Sequence, residues 1–559
     1  MTIPETVPSA WPVSATVRRM RRLAVIGLST AALLAGFASA ATVTGTPRAD
    51  RLTGTSGADR IDGRAGNDFL SGLGGADALQ GGPGKDTIDA GAGDDRIPAH
   101  ADGARDRIRC GPGRDIVTAE QNDVVLRDCE VVSRQVSVDG TTGSIGQHAT
   151  EVEPDTFAFE STVVSVFQVG RVAEGGAVAI GFATSRDSGQ TWKSGLLPGV
   201  TDSSPQPGPA ERASDPVVGY DAVHGVWLAV TLGISPATKS FHLYVNRSAS
   251  GLLWNAPVAA VSAPNGDLDK EWIACDNGSS SPFRGRCYLS YFHTASGEIR
   301  TTFSADGGVT WSEPVASSPV PLREFDFNGV QPLVLPDGTL VVVYTSFADL
   351  RFGFQSEIVA TRSMDGGASF SAPVRVAPLA TASIPAVRTF ALASAEVDAT
   401  GKMYVAWEGC AGAGACATSR IVLSTSTDGI SWTPAQTVTS ARSTVDHFLP
   451  GLGADPSAPG RLALVFHSIP DGCADDPACP GIDVFQTTSK DGGRTWTKQQ
   501  RLTAEPVALD WIARTRIGLM LGDYVSTSFA RGRPVSVFSL GAERVKGRFR
   551  QAIFAYRGP

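Results

Sequence analysis

Every ninth residue from 52 to 97 is a branched aliphatic: Leu52, Ile61, Leu70, Leu79, Ile88 and Ile97. Two more series keep the same step, Asp59, Asp68, Asp77, Asp86 and Asp95, and Gly57, Gly66, Gly75, Gly84 and Gly93. A nine-residue step matches neither the 3.6-residue turn of a helix nor the alternation of one long strand. It describes a short strand and a turn repeated along an axis, with the aliphatic residue pointing into a thin core. The glycines permit backbone conformations with φ > 0 at the turns. A flexible Gly/Asp linker would not hold an aliphatic residue in register over six successive positions.

The best copy, Gly81-Gly82-Pro83-Gly84-Lys85-Asp86-Thr87-Ile88, resembles the RTX nonapeptide Gly-Gly-x-Gly-x-Asp-x-(apolar)-x of parallel β-rolls. Other copies lack the second glycine, as in Gly54-Thr55-Ser56-Gly57-Ala58-Asp59. The resemblance implies a β-roll that binds Ca²⁺ through Asp59, Asp68, Asp77, Asp86 and Asp95 together with turn carbonyls. Between Arg51 and Ile97 eight Asp stand against five Lys or Arg, so folding is expected to be coupled to cation binding. Affinities on the order of 10⁻⁴–10⁻³ M are expected, as for other extracellular modules. Beyond Ile97 the period stretches through Asp106/Ile108 and Asp115/Val117, and the resemblance ends near Val132. The calcium-binding roll is therefore placed at residues 41–132. RTX rolls usually lie C-terminally and serve a dedicated secretion route. This one is N-terminal behind a cleavable signal, which argues against carrying that route over.

Arg18, Arg19, Arg21 and Arg22 precede an apolar run, Leu23 to Phe37, and the small residues Ala38-Ser39-Ala40. This reads as an export signal over residues 1–40, with a mature chain starting at Ala41. The run of about 15 residues is shorter than the roughly 20 that span a bilayer. Met20 would be a tidier start, and no other segment is long and apolar enough to span. A secreted or cell-surface protein is expected. The eight cysteines fall into four near-neighbour pairs, Cys110/Cys129, Cys275/Cys287, Cys410/Cys416 and Cys473/Cys479, which read as short-loop disulfides of an exported chain. The first would cap the roll. No Cys-x-x-Cys knuckle favours zinc. A net charge of −8 offers no basic footprint for nucleic acid.

From residue 152 a second unit of roughly 60 residues takes over. Its marker is Ser-x-Asp-x-Gly-x-Thr-Trp. Copies run Ser185 to Trp192, Ser304 to Trp311, Ser363 to Phe370 and Ser489 to Trp496. Shorter versions run Ser426 to Trp432 and Ser248 to Trp254, the last with Ser250 in place of Asp. The serines are spaced by 63, 56, 59, 63 and 63 residues. The marker resembles the Asp box of sialidase-like BNR-repeat β-propellers, which implies one four-stranded blade per unit over residues 133–559. Asp187, Asp306, Asp365, Asp428 and Asp491 are expected to hold the turn between third and fourth strands rather than to catalyse. Runs such as Gly225–Val230, Thr339–Tyr344, Lys402–Trp407 and Arg461–Phe466 read as second strands. Six boxes allow six blades. A unit without a box follows from Gly522 to Tyr556, and residues near Gly143–Glu151 would supply its missing strand, so seven blades are preferred to six. The fold class is all-β: a parallel roll followed by a propeller.

The sialidase resemblance raises the question of catalysis. Exo-sialidases use an arginine triad, a Tyr nucleophile with a Glu partner, and an Asp acid/base. The Arg-Ile-Pro motif that normally carries the first arginine is absent; Arg171 stands in an unrelated context. Polar residues at the starts of expected innermost strands are Glu153, Asp215, Asp269, Glu271, Asp326, Arg388, Asp446, His447, Arg514 and Asp523. Arg388 and Arg514 could clasp a carboxylate bidentately. Tyr524 is a conceivable nucleophile, and Asp215 and Glu271 are further catalytic candidates without an assigned role. The same charges could instead line a wet channel or bridge blades. The expectation is a monomeric calcium-binding protein whose propeller serves as a platform for a glycan or protein ligand. An exo-sialidase-type glycoside hydrolase is the alternative.

Overall fold

A computed structural model describes residues 39–99, 102–141, 145–318, 325–348, 356–380, 384–410, 418–440, 444–473, 476 and 478–559. Residues 1–38 of the expected export signal and Cys416 lie outside these, as does the side chain of Asp326. Ser39–Pro559 forms one compact unit. No helix among the described residues is long and apolar enough to cross a membrane.

The nonapeptides build a β-solenoid of about five turns, two repeats to a turn. Strands Arg51–Thr53, Phe69–Ser71, Thr87–Asp89, Arg107–Arg109 and Val124–Val125 pair in parallel to form one face. Thr42–Thr44, Arg60–Asp62, Ala78–Gln80, Arg96–Pro98, Ile116–Ala119 and Val131–Gln135 form the other. Leu70 stacks on Ile88 and Ile88 on Ile108, and each is buried because its side chain has only the thin space between the faces to enter. Gly84 takes φ 146°, and a Cβ there would overlap the Gly66 carbonyl of the turn below, so the close stacking requires glycine.

The second repeat folds into antiparallel sheets. The first holds Gln147–Phe159, Thr162–Arg171, Ala177–Ser185 and Lys193–Leu196; the second holds Arg212–Asp221, Val226–Ser235, Ser240–Ser248 and Val258–Ala263. Four more four-stranded sheets start at Leu268–Cys275, Phe325–Val334, Ser394–Val397 and Val445–Ala454. The last sheet has three strands of its own, Ser526–Ala530, Arg533–Gly541 and Gln551–Arg557. Each first strand packs against the first strand of the next sheet, and Ser526–Ala530 returns to Gln147–Phe159. The innermost strands thus encircle a common axis, as in a β-propeller. The second strands are buried on both faces, as in Val226–Ser235 and Met403–Gly409, because each sheet is covered by a neighbour on either side.

The strand that completes the last sheet is not the one expected. Val131–Gln135 lies antiparallel to Gln551–Arg557, with Ser133 opposite Tyr556 and Gln135 opposite Phe554. Gln147–Phe159 is the innermost strand of the first sheet and meets Gln551–Arg557 only at Thr150. The reason lies in the roll. Val131–Gln135 is already fixed along one edge by parallel pairing with Ile116–Ala119, which leaves its other edge ready to receive a strand. The roll and the last sheet are therefore one continuous hydrogen-bonded sheet.

Disulfides join Cys110 to Cys129, Cys275 to Cys287 and Cys473 to Cys479. The first closes the C-terminal turns of the roll. The second joins directly opposed residues of neighbouring strands.

Candidate functional site

The aspartates of the roll form a ladder. The backbone N–H groups of Asp59, Asp68 and Asp77 donate to Oδ1 of Asp77 (2.7 Å), Asp86 (2.8 Å) and Asp95 (2.8 Å), one turn further on. The ladder continues past the strict repeat, from Asp86 to Asp106 and Asp95 to Asp115 (both 2.8 Å), then from Asp106 to Asp123 (2.9 Å). Each bond uses one carboxylate oxygen. The second oxygen, Oδ2, of Asp68, Asp77, Asp86, Asp95 and Asp115 is buried with no hydrogen-bond partner. Burial, with neighbouring carboxylates adding to it, pushes Asp86 up to about 6 and Asp95 up to about 7. Asp59, at the open end, differs: its oxygens accept from Ala41 N and from Thr55.

Whether these residues suit a cation can be tested on the glycines beside them. A Cβ added at Gly63 would fall 2.7 Å from Asp68 Oδ2 and 2.5 Å from the Gly81 carbonyl oxygen. The space left by the missing side chain is thus lined by oxygen. Buried, unpartnered carboxylate oxygens facing carbonyls form an oxygen-only donor set, which fits a hard cation such as Ca²⁺.

A second charged cluster sits at the centre of the propeller. Innermost strands carry a β-bulge at which one residue turns left-handed: Glu153 (φ 54°), Asp215 (49°), Lys270 (45°), Gly329 (60°) and Leu449 (55°). For a side chain bearing a Cβ this conformation costs about 1–2 kcal/mol, so the ring interactions must over-determine it. Lys270 Nζ lies 2.8 Å from Asp523 Oδ2 and 3.5 Å from Glu153 Oε1, and contacts Asp215 Oδ1. One ammonium thus ties together carboxylates of the first two sheets and of the segment that leads into the last. Arg388 clasps Asp523 bidentately, with Nε 2.8 Å from Oδ1. Both cations hold the Asp523 carboxyl well below its usual range, against the opposing effect of burial. Burial prevails at Glu153, pushed up to about 8 despite Lys270. Lys270 is raised well above its ordinary value, because the surrounding carboxylates outweigh its own burial.

Of the residues singled out in the sequence, Glu153, Asp215, Arg388 and Asp523 enter this cluster, and Glu271 and Tyr524 border it. The Tyr524 hydroxyl donates to the Pro216 carbonyl at 2.9 Å, and burial raises its pKa well above 10. Lys270, Glu271, Trp272, Gln331 and Tyr524 line a cavity of about 20 Å³, room for about one water. Neither carboxylate oxygen of Glu271 has a partner, and burial raises its pKa well above the ordinary range. Arg514 lies exposed in a short hairpin, Arg514–Thr515 with Gly518–Leu519, and makes no ion pair with the cluster among the described residues. Arg171 is buried and donates to the carbonyls of Val172 and Gly176. Asp446 accepts from Ser419 N at 2.7 Å.

Lys270 was overlooked in the sequence. A signal for it exists: Glu153, Asp215, Lys270 and Gly329 lie 32, 33, 34 and 34 residues before the serines of their own boxes, Ser185, Ser248, Ser304 and Ser363.

The boxes themselves share one hydrogen-bond pattern. Asp306 Oδ1 accepts from the Ser304 hydroxyl (2.8 Å) and from the N–H groups of Val309 and Thr310 (both 3.0 Å), and Oδ2 accepts from the Thr310 hydroxyl (2.6 Å). Asp187, Asp365, Asp428 and Asp491 accept in the same way from their own serines and turns. These bonds hold Asp306, Asp365, Asp428 and Asp491 down to about 2.

The RTX calcium-binding nonapeptide repeat family, in four copies, matches residues 44–79 and 71–97. No curated protein matches the chain. Solved structures similar to it include a PL25 ulvan lyase (11% identity, 75% of this chain and 95% of that one, TM-score 0.46). Others are a Hadza microbial sialidase (17%, 74% and 66%, TM-score 0.36) and the α-L-arabinanase of Penicillium chrysogenum (13%, 76% and 98%, TM-score 0.40). Residues 44–97 are RTX calcium-binding repeats, carried in one chain with a β-propeller.

Proposed function

We propose that the chain is a secreted, monomeric calcium-binding protein whose seven-bladed propeller is a rigid platform for a glycan or protein ligand. The observation that carries the calcium reading is the row of buried, unpartnered Oδ2 atoms on Asp68, Asp77, Asp86, Asp95 and Asp115. These residues, with the carbonyls of the glycine turns, would hold Ca²⁺, which supplies the counter-charge that lets the acidic ladder stay buried. Disulfides and extracellular calcium levels favour the same compartment.

The platform reading is supported by how the central charges are spent. Lys270 and Arg388 are each engaged by carboxylates from elsewhere in the ring, and the Tyr524 hydroxyl is occupied by a backbone carbonyl. One observation favours hydrolysis instead: Glu271, whose pKa burial raises well above the ordinary carboxylate range, lines the same cavity as Tyr524, the two residue types a sialidase-type enzyme would pair. A fluorogenic sialoside assay with Tyr524→Phe and Arg388→Ala separates the two. Turnover lost in both variants sinks the platform reading. No turnover, with selective binding on a glycan array, supports it. Calcium titration followed by circular dichroism tests the roll, and no response at millimolar Ca²⁺ removes the metal.

A further inference from the structure

We propose that the roll is the closing element of the propeller ring, so that calcium bound to the repeats determines whether the propeller is closed and stable. The inference rests on the calcium reading of the repeats and goes beyond it.

A ring of sheets is only as stable as its closure, because opening at one blade frees both neighbouring faces to water. Here the last sheet lacks an outer strand of its own. Val131–Gln135 supplies it, and that strand is the final rung of the roll, paired in parallel with Ile116–Ala119 from Val131 to Arg134. The junction has more than backbone pairing. Val136 N donates to the Ile553 carbonyl (2.8 Å), and the Ser133 hydroxyl donates to the Leu502 carbonyl (2.8 Å). Ala504 N donates to Thr118 Oγ1 (3.2 Å), and Gln121 Nε2 donates to the Trp192 carbonyl (3.0 Å). Val131 is buried in the core formed by Phe554, Tyr556, Leu502 and Phe538, and Ile116 packs against it. Roll residues therefore contact the first sheet, the last sheet and the one before it.

The rung that performs this closure lies at the C-terminal end of the ladder, where Asp115 N donates to Glu130 Oε2 (3.0 Å) and Asp115 Oδ2 is buried without a partner. With no cation, the ladder must bury one unpaired carboxylate oxygen after another beside a core only one side chain thick, which is unfavourable. If the ladder opens, Val131–Gln135 loses the strand that holds it in place, and the last sheet is reduced to three strands. Calcium bound to the roll thereby acts on a propeller whose own residues need not bind it.

In the mature chain every tryptophan lies at or beyond Trp192, so tryptophan fluorescence reports the propeller and none of the roll. The test is urea unfolding of the mature chain followed by tryptophan fluorescence, in millimolar Ca²⁺ and in chelator, with terbium luminescence reporting occupancy of the roll. The expected result is a higher urea midpoint with Ca²⁺. The unfolding constant should fall about elevenfold for each ion present at ten times its dissociation constant. Asp77→Asn/Asp95→Asn should lose most of this shift. Val136→Pro removes the N–H given to Ile553 without touching the pairing of residues 131–134; it should still bind terbium but respond little to Ca²⁺. If terbium binds and the tryptophan midpoint is the same with and without Ca²⁺, the closure inference fails while the metal reading stands. If Val136→Pro keeps the full calcium shift, the inference also fails. If nothing binds, both fail.

Discussion

Replacing Lys270 by Met removes the ammonium at the hub of the propeller while keeping most of the unbranched apolar stem. Glu153, Asp215 and Asp523 offer oxygens that all lie within 4.8 Å of one another, and all three side chains are buried. At an effective dielectric of about 20, the attractions at 2.8 Å and 3.5 Å amount to about 6 and about 5 kcal/mol before desolvation is counted. Most of that offsets the cost of burying the charges, and stranding one side of a buried pair leaves a net loss of about 3–5 kcal/mol. Arg388 still neutralises Asp523, so the strain falls on Glu153 and Asp215. Without the ammonium, burial raises Glu153 still further, and it gains its proton more readily in the folded protein than in the unfolded chain. A folded pKa above the unfolded value gives stability that is present at low pH and lost as pH rises. The penalty of Lys270→Met should therefore be near its full size at pH 8 and shrink towards pH 5. Urea unfolding at saturating Ca²⁺ across that range measures it. A loss below about 1 kcal/mol at pH 8, or one of equal size at every pH, would refute the assignment of Lys270 as the hub.

His467 is fully buried against Phe448, and burial holds its pKa down to about 4. The unfolded imidazole titrates near 6.5, so this neutral histidine contributes stability above 6.5 that is lost as pH falls through 4; His467→Phe should flatten that acid limb in a stability–pH curve. Asp306→Ala leaves the Val309 and Thr310 N–H groups without their acceptor and should cost about 1–2 kcal/mol in urea unfolding, with sialoside turnover, if any, unchanged. The Cys275/Cys287 bridge closes a short loop across opposed strands. Serine at both positions should lower stability by roughly 2–3 kcal/mol by the chain-entropy argument, whereas a change within error would show that the strand pairing alone holds the loop.

Both repeats were legible in the chain because each is a local device. An aliphatic, an aspartate and a glycine at a nine-residue step state a turn and a strand without reference to anything distant. The Ser-x-Asp-x-Gly-x-Thr-Trp turn is likewise complete within eight residues, as the bonds of Asp306 to Ser304, Val309 and Thr310 show. Candidate ring residues such as Asp215 and Arg388 could be named from their place at strand starts. What they touch could not be named, since Arg388 meets Asp523 across 135 residues and Lys270 meets Glu153 across 117. Lys270 escaped notice because its left-handed bulge is set by pairing within the sheet and by the charges around it rather than by a turn motif. The closing strand was misplaced for the same reason. Residues near Gly143–Glu151 read as the completing strand, whereas Val131–Gln135 takes that place. The choice between them was made by a free edge that exists only once the roll has stacked. Repeats are written in short-range backbone preferences. Ring closure and charge pairing depend on which surfaces come together after those repeats have formed, and that information resides in the tertiary structure.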